Sequence, residues 1–202
     1  MAFNFGKSQG YSKSNPVDNL LKKDVEASPI EVFTPEEARK LLSACDREAL
    51  PYFALGLFCG IRPTELTRLE WESVRFDKGY VVVKSSVSKK GRKRHVDLSD
   101  NLITILKTYQ TAEGFVTPQR DWRRKMRDIQ AATKWQKNIL RHSFASYYLA
   151  YHGDLNRLAL VMGHTSTRTS FEHYLDVVEK ADAIRFWKIG LDCGVNGKRA
   201  VA

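Results

Sequence analysis

Near the C-terminal end of this chain an arginine, a histidine and a tyrosine follow one another in a spacing that could do chemistry. Leu140-Arg141-His142-Ser143-Phe144-Ala145 comes first, then Met162-Gly163-His164, then Tyr174. A guanidinium neutralises a phosphate, an imidazole handles a proton or a hydrogen bond, and a phenol can form a covalent bond to phosphorus. The set suits attack on a phosphodiester. A phenol is a weak nucleophile at its ordinary pKa of about 10, so it needs a proton acceptor or a cationic neighbourhood. Upstream, Arg62 stands in Gly60-Ile61-Arg62-Pro63-Thr64-Glu65-Leu66, between two apolar runs.

The composition fits a polyanionic partner. Thirty-three Lys and Arg against 23 Asp and Glu give a net charge of +10. Nucleic acid is favoured over membrane, because no basic amphipathic helix and no long apolar run is present. The 202 residues, 43% of them hydrophobic, are enough for one domain with a real core. Cys45, Cys59 and Cys193 are widely spaced and odd in number, so they read as reduced cytosolic thiols, and no metal-ligand spacing appears. The N-terminus carries no apolar signal segment.

The elements that must position these residues are mostly helical. Residues 1–33 read as a polar tail or linker in which Gly6, Gly10, Asn15 and Pro16 break any long helix. Thr34-Pro35-Glu36-Glu37 is a capping box that opens the first helix of the ordered domain, with Ala38, Leu41 and Leu42 on one side. Pro51 starts a helix over 52–59 that is apolar nearly all round, hence central, and Gly60 ends it. Pro63 opens the next helix, so Arg62 falls in a short break where a side chain is well held and can face a cleft. Residues 80–83 read as a strand and 92–98 as its antiparallel partner, with the turn at Lys89-Lys90-Gly91. Helices follow at 100–109 capped by Ser99, about 120–131, 141–151, 154–162 and 167–174. The fold class is α+β, mainly helical with a small antiparallel sheet. Residues 84–94 hold six basic and no acidic side chains, and a hairpin tip of this kind can enter a DNA groove, with Lys90, Arg92, Lys93 and Arg94 as contacts. His142 is expected to pack inside the fold, since adjacent helical positions diverge. Tyr147, Tyr148 and Tyr151 are expected to be core aromatics.

The two arginine boxes, the basic hairpin and the terminal tyrosine resemble the catalytic domain of the tyrosine recombinases, the phage integrase family, over nearly all of the chain. The resemblance implies that Arg62 and Arg141 contact the scissile phosphate, that Glu65 orients the site and that His164 hydrogen-bonds the phosphate. It implies an active-site lysine on the hairpin turn, Lys89 or its neighbour Lys90, that protonates the leaving 5′ oxygen. Tyr174 is then the nucleophile, ten residues after His164, where many members have nine. Asn138 takes the position that usually holds histidine or lysine; an amide donates a hydrogen bond there but carries no charge and no labile proton.

The resemblance implies double-stranded DNA as partner, with neither metal nor other cofactor, because transesterification conserves the bond energy. Residues 1–33 resemble the end of an N-terminal DNA-clamping domain and its linker, 34–178 the catalytic domain, and 179–202 a C-terminal helix and tail. The stretch Ala181-Asp182-Ala183-Ile184-Arg185-Phe186-Trp187 resembles the segment that members dock on a neighbouring protomer, implying a homo-oligomer on DNA. An arm domain missing in this way implies a catalytic fragment or truncated gene, possessing reduced activity. The expected location is the cytoplasm of a bacterial, phage or mobile-element host. The expected function is site-specific DNA cutting and rejoining through a 3′-phosphotyrosyl intermediate. A type IB topoisomerase shares this chemistry, and a DNA-binding remnant of an integrase would share the fold; the 181–187 segment favours the recombinase.

Overall fold

The computed structural model describes residues 2–16, 18, 30–88, 91–111, 113–163, 174–175 and 177–190. The positions expected for Lys89, Lys90, His164 and most of the 167–174 helix lie outside them.

The centre of the molecule is helix α3 (Leu50–Cys59), every residue of which is buried. Its apolar character on all sides forces neighbours around it. Helix α2 (Pro35–Ala44) packs on one side through Ala38, Leu41 and Leu42. It is opened by Thr34, whose hydroxyl accepts from the Glu37 amide while the Glu37 carboxylate accepts from the Thr34 amide. The longest helix, α7 (Ile139–His152), lies against α3, and α9 (Lys180–Trp187) lies against α7 and α2. Helix α5 (Asp100–Leu106) closes a further side of α3. Short α4 (Pro63–Leu66) follows α3 directly, and α8 (Leu155–Met162) follows α7 after Gly153. Helix α6 (Trp122–Ala131) buries no residue completely; Trp122 meets Tyr52 with ring centroids 4.4 Å apart.

Among the described residues the sheet has three antiparallel strands in the order β1 (Val74–Arg75), β2 (Tyr80–Val83) and β3 (Arg94–Asp97). Val81 faces Val96 across the β2–β3 pair, and both are buried. Strand β1 adds a third strand to the hairpin expected from sequence; two residues are too short a run to show a period. Strand β3 is also shorter than 92–98, leaving Arg92 and Lys93 outside the ladder.

Three local expectations change. Gly6 does not interrupt the N-terminal segment but sits within a short helix, α1 (Ala2–Ser8), none of whose residues is buried. Ser99 precedes α5 without capping it, and its hydroxyl is buried with no partner among the described residues. Tyr151 is 45% exposed, whereas Tyr147 is fully buried: the helix turns the first of these out of the core and the second into it. The Tyr147 hydroxyl donates to the Phe33 carbonyl, and the Phe33 amide donates to the Ser143 hydroxyl, so α7 pins the segment that leads into α2.

Helix α9 is docked on its own chain. Phe186 stacks on Tyr147 with centroids 4.0 Å apart and planes within 10°. Phe58 of α3 touches the same ring at 5.0 Å. Phe186→Ala is therefore expected to lower the folding stability of the monomeric chain by roughly 3–5 kcal/mol in urea denaturation, the usual range for emptying a buried aromatic site. An unchanged midpoint would mean that α9 contributes nothing in cis.

Candidate active site

The site is built where three chain segments end. Helix α3 stops at Gly60, which adopts φ 58 and lies against Phe144; a Cβ there would come within 2.3 Å of that ring. A side chain at this point would force α3 away from α7. Two residues on, Arg62 precedes Pro63 and caps α4. Helix α8 ends at Gly163, φ 62, immediately before His164. Helix α7 begins at Ile139, two residues earlier than its sequence pattern suggests, so Arg141 lies in its first turn.

The last carbonyls of a helix have no partner within the helix and carry its partial negative charge. Here cations meet them. Arg141 donates to the Gly60 carbonyl at 2.5 Å and to the Met162 carbonyl at 2.6 Å, bridging the ends of α3 and α8. Arg62 donates to the Gly163 carbonyl at 3.3 Å. Arg94 donates through Nε to the Val161 carbonyl at 2.8 Å. Three consecutive carbonyls, of Val161, Met162 and Gly163, are thus each held by a different arginine.

One carboxylate balances this cluster. Glu65 is fully buried. It accepts from Arg94 Nη1 at 3.1 Å and Nη2 at 2.5 Å, a two-pronged pairing. It also accepts from Arg62 Nη1 at 3.1 Å and the Arg62 amide at 3.2 Å. Burial alone would push its carboxyl up, but the hydrogen bonds and charges of Arg94 and Arg62 outweigh that and hold it below the ordinary carboxylate range. The Arg141 guanidinium is also pushed down, to about 9, but for the opposite reason: burial and then the charges of Arg62 and Arg94 disfavour its charged form. It remains a cation at neutral pH, and one carboxylate among three guanidiniums leaves the site positive.

Arg94, expected on the hairpin as a contact with Arg92 and Lys93, is drawn inward onto Glu65 and the Val161 carbonyl while still lining the cleft wall. Residues two apart on a strand share a face, and Arg94 shares the inward face with buried Val96. That alternation is readable in the sequence. Arg92, Lys93, His95 and Arg157 line an open cleft of about 620 Å³ that reaches Gly163, beside the arginine cluster. Arg92 and Lys93 are exposed.

Tyr174 is 6% exposed. Burial raises its phenol pKa, and the charge of Arg141 works against that rise. Its hydroxyl lies 2.8 Å from His142 Nδ1. His142 is thus not simply a core residue: it is half-buried and meets the phenol. Nothing in the sequence near His142 announces this, because its partner arrives from 32 residues away. Asn138, the residue before α7, is exposed and adopts φ 63, a left-handed conformation that asparagine tolerates better than most residues. The structure brings Arg62, Glu65, Arg141 and Tyr174 together. Lys89, Lys90 and His164 lie outside the described residues, although the flanking Gly163 belongs to the cluster. Among the described residues no group of His, Cys, Asp and Glu is placed to hold a metal ion, and no helix is long and apolar enough to cross a membrane.

Comparison with known proteins gives the family and the fold. The model of the phage integrase family matches residues 31–180, nearly three quarters of the chain and all of the arginine cluster. The chain belongs to the phage integrase family. Its relatives in that family include the tyrosine recombinase XerA of Pyrococcus furiosus, 26% identical over 179 residues, covering 75% of this chain and 62% of that one. A tyrosine recombinase of Pseudothermotoga lettingae is 27% identical over 202 residues, covering 90% of this chain and 69% of that one. This integrase-family chain therefore spans less than two thirds of the Pyrococcus relative. Among solved structures, the crystal structure of XerA recombinase superimposes with a TM-score of 0.60 at 19% identity, covering 95% of this chain and 73% of that one. The Tn1549 transposon integrase in complex with circular intermediate DNA gives 0.63 at 14% identity, covering 90% of this chain and 74% of that one. These likenesses show the fold.

The Glu65–Arg94 pair makes a direct prediction. Removing one partner of a buried pair costs roughly 3–5 kcal/mol, because the other charge is left uncompensated. Arg94→Ala should lower stability by about that much, while Arg94→Lys, lacking the fork, should not restore it. Because the folded-state pKa of Glu65 lies below the unfolded value of about 4.3, its contribution is fully present above that pH and is lost as the pH falls through the folded value. Glu65→Gln should remove that part of the acid dependence of stability, read from denaturation curves between neutral pH and the acid range.

Proposed function

We propose that this chain is a site-specific DNA recombinase or integrase that cuts and rejoins strands through a 3′-phosphotyrosyl bond at Tyr174. The observation that carries the reading is the buried cluster of Arg62, Arg94 and Arg141 around Glu65, with the Tyr174 phenol beside Arg141. A phosphodiester presented to this cluster would have its non-bridging oxygens held by Arg62 and Arg141, whose guanidiniums are fixed on backbone carbonyls before substrate arrives. Fixed donors lose little reorganisation energy as charge develops on the pentavalent phosphorus. The phenol oxygen attacks phosphorus, the P–O5′ bond breaks, and the 5′ oxygen takes a proton. Lys89 is the proposed donor of that proton, with Lys90 the alternative, and His164 assists at the phosphate. Asn138 is an uncharged hydrogen-bond donor there. Rejoining is the reverse, and no external energy source enters.

DNA fits the cleft beside the cluster. Arg92 and Lys93 are exposed on the cleft wall, and with Lys90 they would follow the phosphate backbone. The relatives are tyrosine recombinases, and the structural neighbours include a transposon integrase solved in complex with circular intermediate DNA, which supports this partner. Assembly of several copies on DNA through the C-terminal segment is part of the same proposal; α9 itself is already seated on its own chain, so exchange between copies would involve what α9 leaves outward, such as Ile184, 39% exposed.

Two measurements test the reading. With nicked duplexes that tile the DNA flanking the gene, the wild-type chain should form a covalent protein–DNA adduct and Tyr174→Phe none. Arg62→Ala should slow adduct formation about 10²–10³-fold, the effect of losing one preorganised donor. Binding without an adduct from either chain would replace the enzyme with a DNA-binding module, and an adduct from Tyr174→Phe would remove Tyr174 as nucleophile. Separately, Arg92→Ala with Lys93→Ala should make the dependence of log affinity on log salt shallower by roughly 0.9 for each phosphate that is no longer neutralised, at little change in sequence preference.

A further inference from the structure

The nucleophile proposed above needs somewhere to send its proton. Burial holds the Tyr174 phenol above its ordinary pKa, so few molecules carry a phenolate at neutral pH. Asn138 has no labile proton to exchange and no basic nitrogen to accept one. His142 stands in the first turn of α7, four residues after Asn138. Its Nδ1 is 2.8 Å from the Tyr174 oxygen, within the reach required of a general base.

We infer that His142 is the proton acceptor for Tyr174 in strand cleavage and its proton donor in rejoining, an inference that rests on Tyr174 being the nucleophile. In this role the phenol donates and Nδ1 accepts, which requires a neutral imidazole with its own proton on Nε2. Two things favour that neutral form: half-burial of the ring and the charge of Arg141, the preceding residue of α7. Among the described residues, Arg141 is the charged group that bears on the imidazole and Tyr174 the titratable one that touches it.

In cleavage the Oη–H bond breaks and its proton passes to Nδ1, while the Oη–P bond forms and the P–O5′ bond breaks. The 5′ oxygen is protonated separately, so the acid and the base of this reaction are different groups. The resulting imidazolium lies next to Arg141, an unfavourable pair that is offset while the phosphorus centre carries extra negative charge. In rejoining the 5′ hydroxyl attacks phosphorus and loses its proton to the group that gave it. The P–Oη bond breaks, and the imidazolium returns its proton to the phenolate. His142 thus leaves each full cycle as it entered.

The test separates a base from a structural prop. Single-turnover adduct formation on the nicked duplexes would be followed as a function of pH for wild type, His142→Gln and His142→Asn; the asparagine oxygen can keep the hydrogen bond near the position of Nδ1 but takes no proton. For wild type the rate should be level at neutral pH and fall only at a pH below the ordinary histidine value of about 6.5, because burial and Arg141 lower the imidazole pKa. Both variants should be slower by about 10²–10⁴-fold at neutral pH and should recover about tenfold per pH unit as the phenol itself begins to ionise. Replacing the bridging 5′ oxygen with sulfur, a leaving group that needs no proton, should rescue a lysine variant at 89 or 90 but not the His142 variants. Variants that match wild type, or that lose the same factor at every pH, overturn the assignment. If sulfur rescues the His142 variants, the residue serves the leaving group, which also overturns it. An adduct from Tyr174→Phe, or none from wild type, removes the nucleophile and the inference with it.

Discussion

Everything at the centre of this molecule depends on guanidinium groups buried against the carbonyl ends of helices. Removing an arginine from water is expensive, and the attraction to a partner repays it only when the geometry is good and the remaining donors are satisfied. The chain meets that condition twice over. Arg141 finds two carbonyls that the α3 and α8 helices cannot satisfy themselves, and Glu65 accepts two bonds from Arg94 and two from Arg62. The helices need cations at their ends and the cations need acceptors, so each solves the other's problem. The excess positive charge that results is what a phosphate requires.

The site divides into two parts with different physics. The inner part is dry and rigid: Glu65 is fully buried, and the side chains of Arg62 and Arg94 are 17% and 9% exposed. Its job is to keep a few donors in fixed directions. The outer part, with Arg92, Lys93 and Arg157 along the cleft, is open to solvent. Charges there act over a longer range and are screened by salt, so they guide and hold a polyanion without fixing its geometry. Arg157 illustrates the compromise, because it is half-exposed and already paired with Asp97 at 2.5 Å.

Much of this is legible in the sequence. The Thr34–Glu37 capping box, the all-apolar helix ended by Gly60 and the break at Arg62 are local patterns, and local patterns survive folding. The family match over residues 31–180 agrees with the resemblance drawn from the two arginine boxes. What escapes is of two kinds. Strand β1 is two residues long and has no period to detect. At Arg94 a run of basic residues suggests a solvated tip, although its alternation with Val96 points inward. The contact between His142 and Tyr174 belongs to another class: two segments far apart in sequence meet only after α7 has packed, and no spacing within either one encodes it.

The bridge that Arg141 makes between Gly60 and Met162 has a consequence for how the protein comes into being. The first of these residues ends the central helix, and the second ends a helix formed about a hundred residues later. The guanidinium can take its place only when both helix ends have arrived, and those ends are held together in part by the guanidinium. Assembly of the arginine cluster and closure of the hydrophobic core are therefore coupled. A nascent or partly melted chain carries the same net positive charge and still attracts polyanions, but its arginines have no fixed directions.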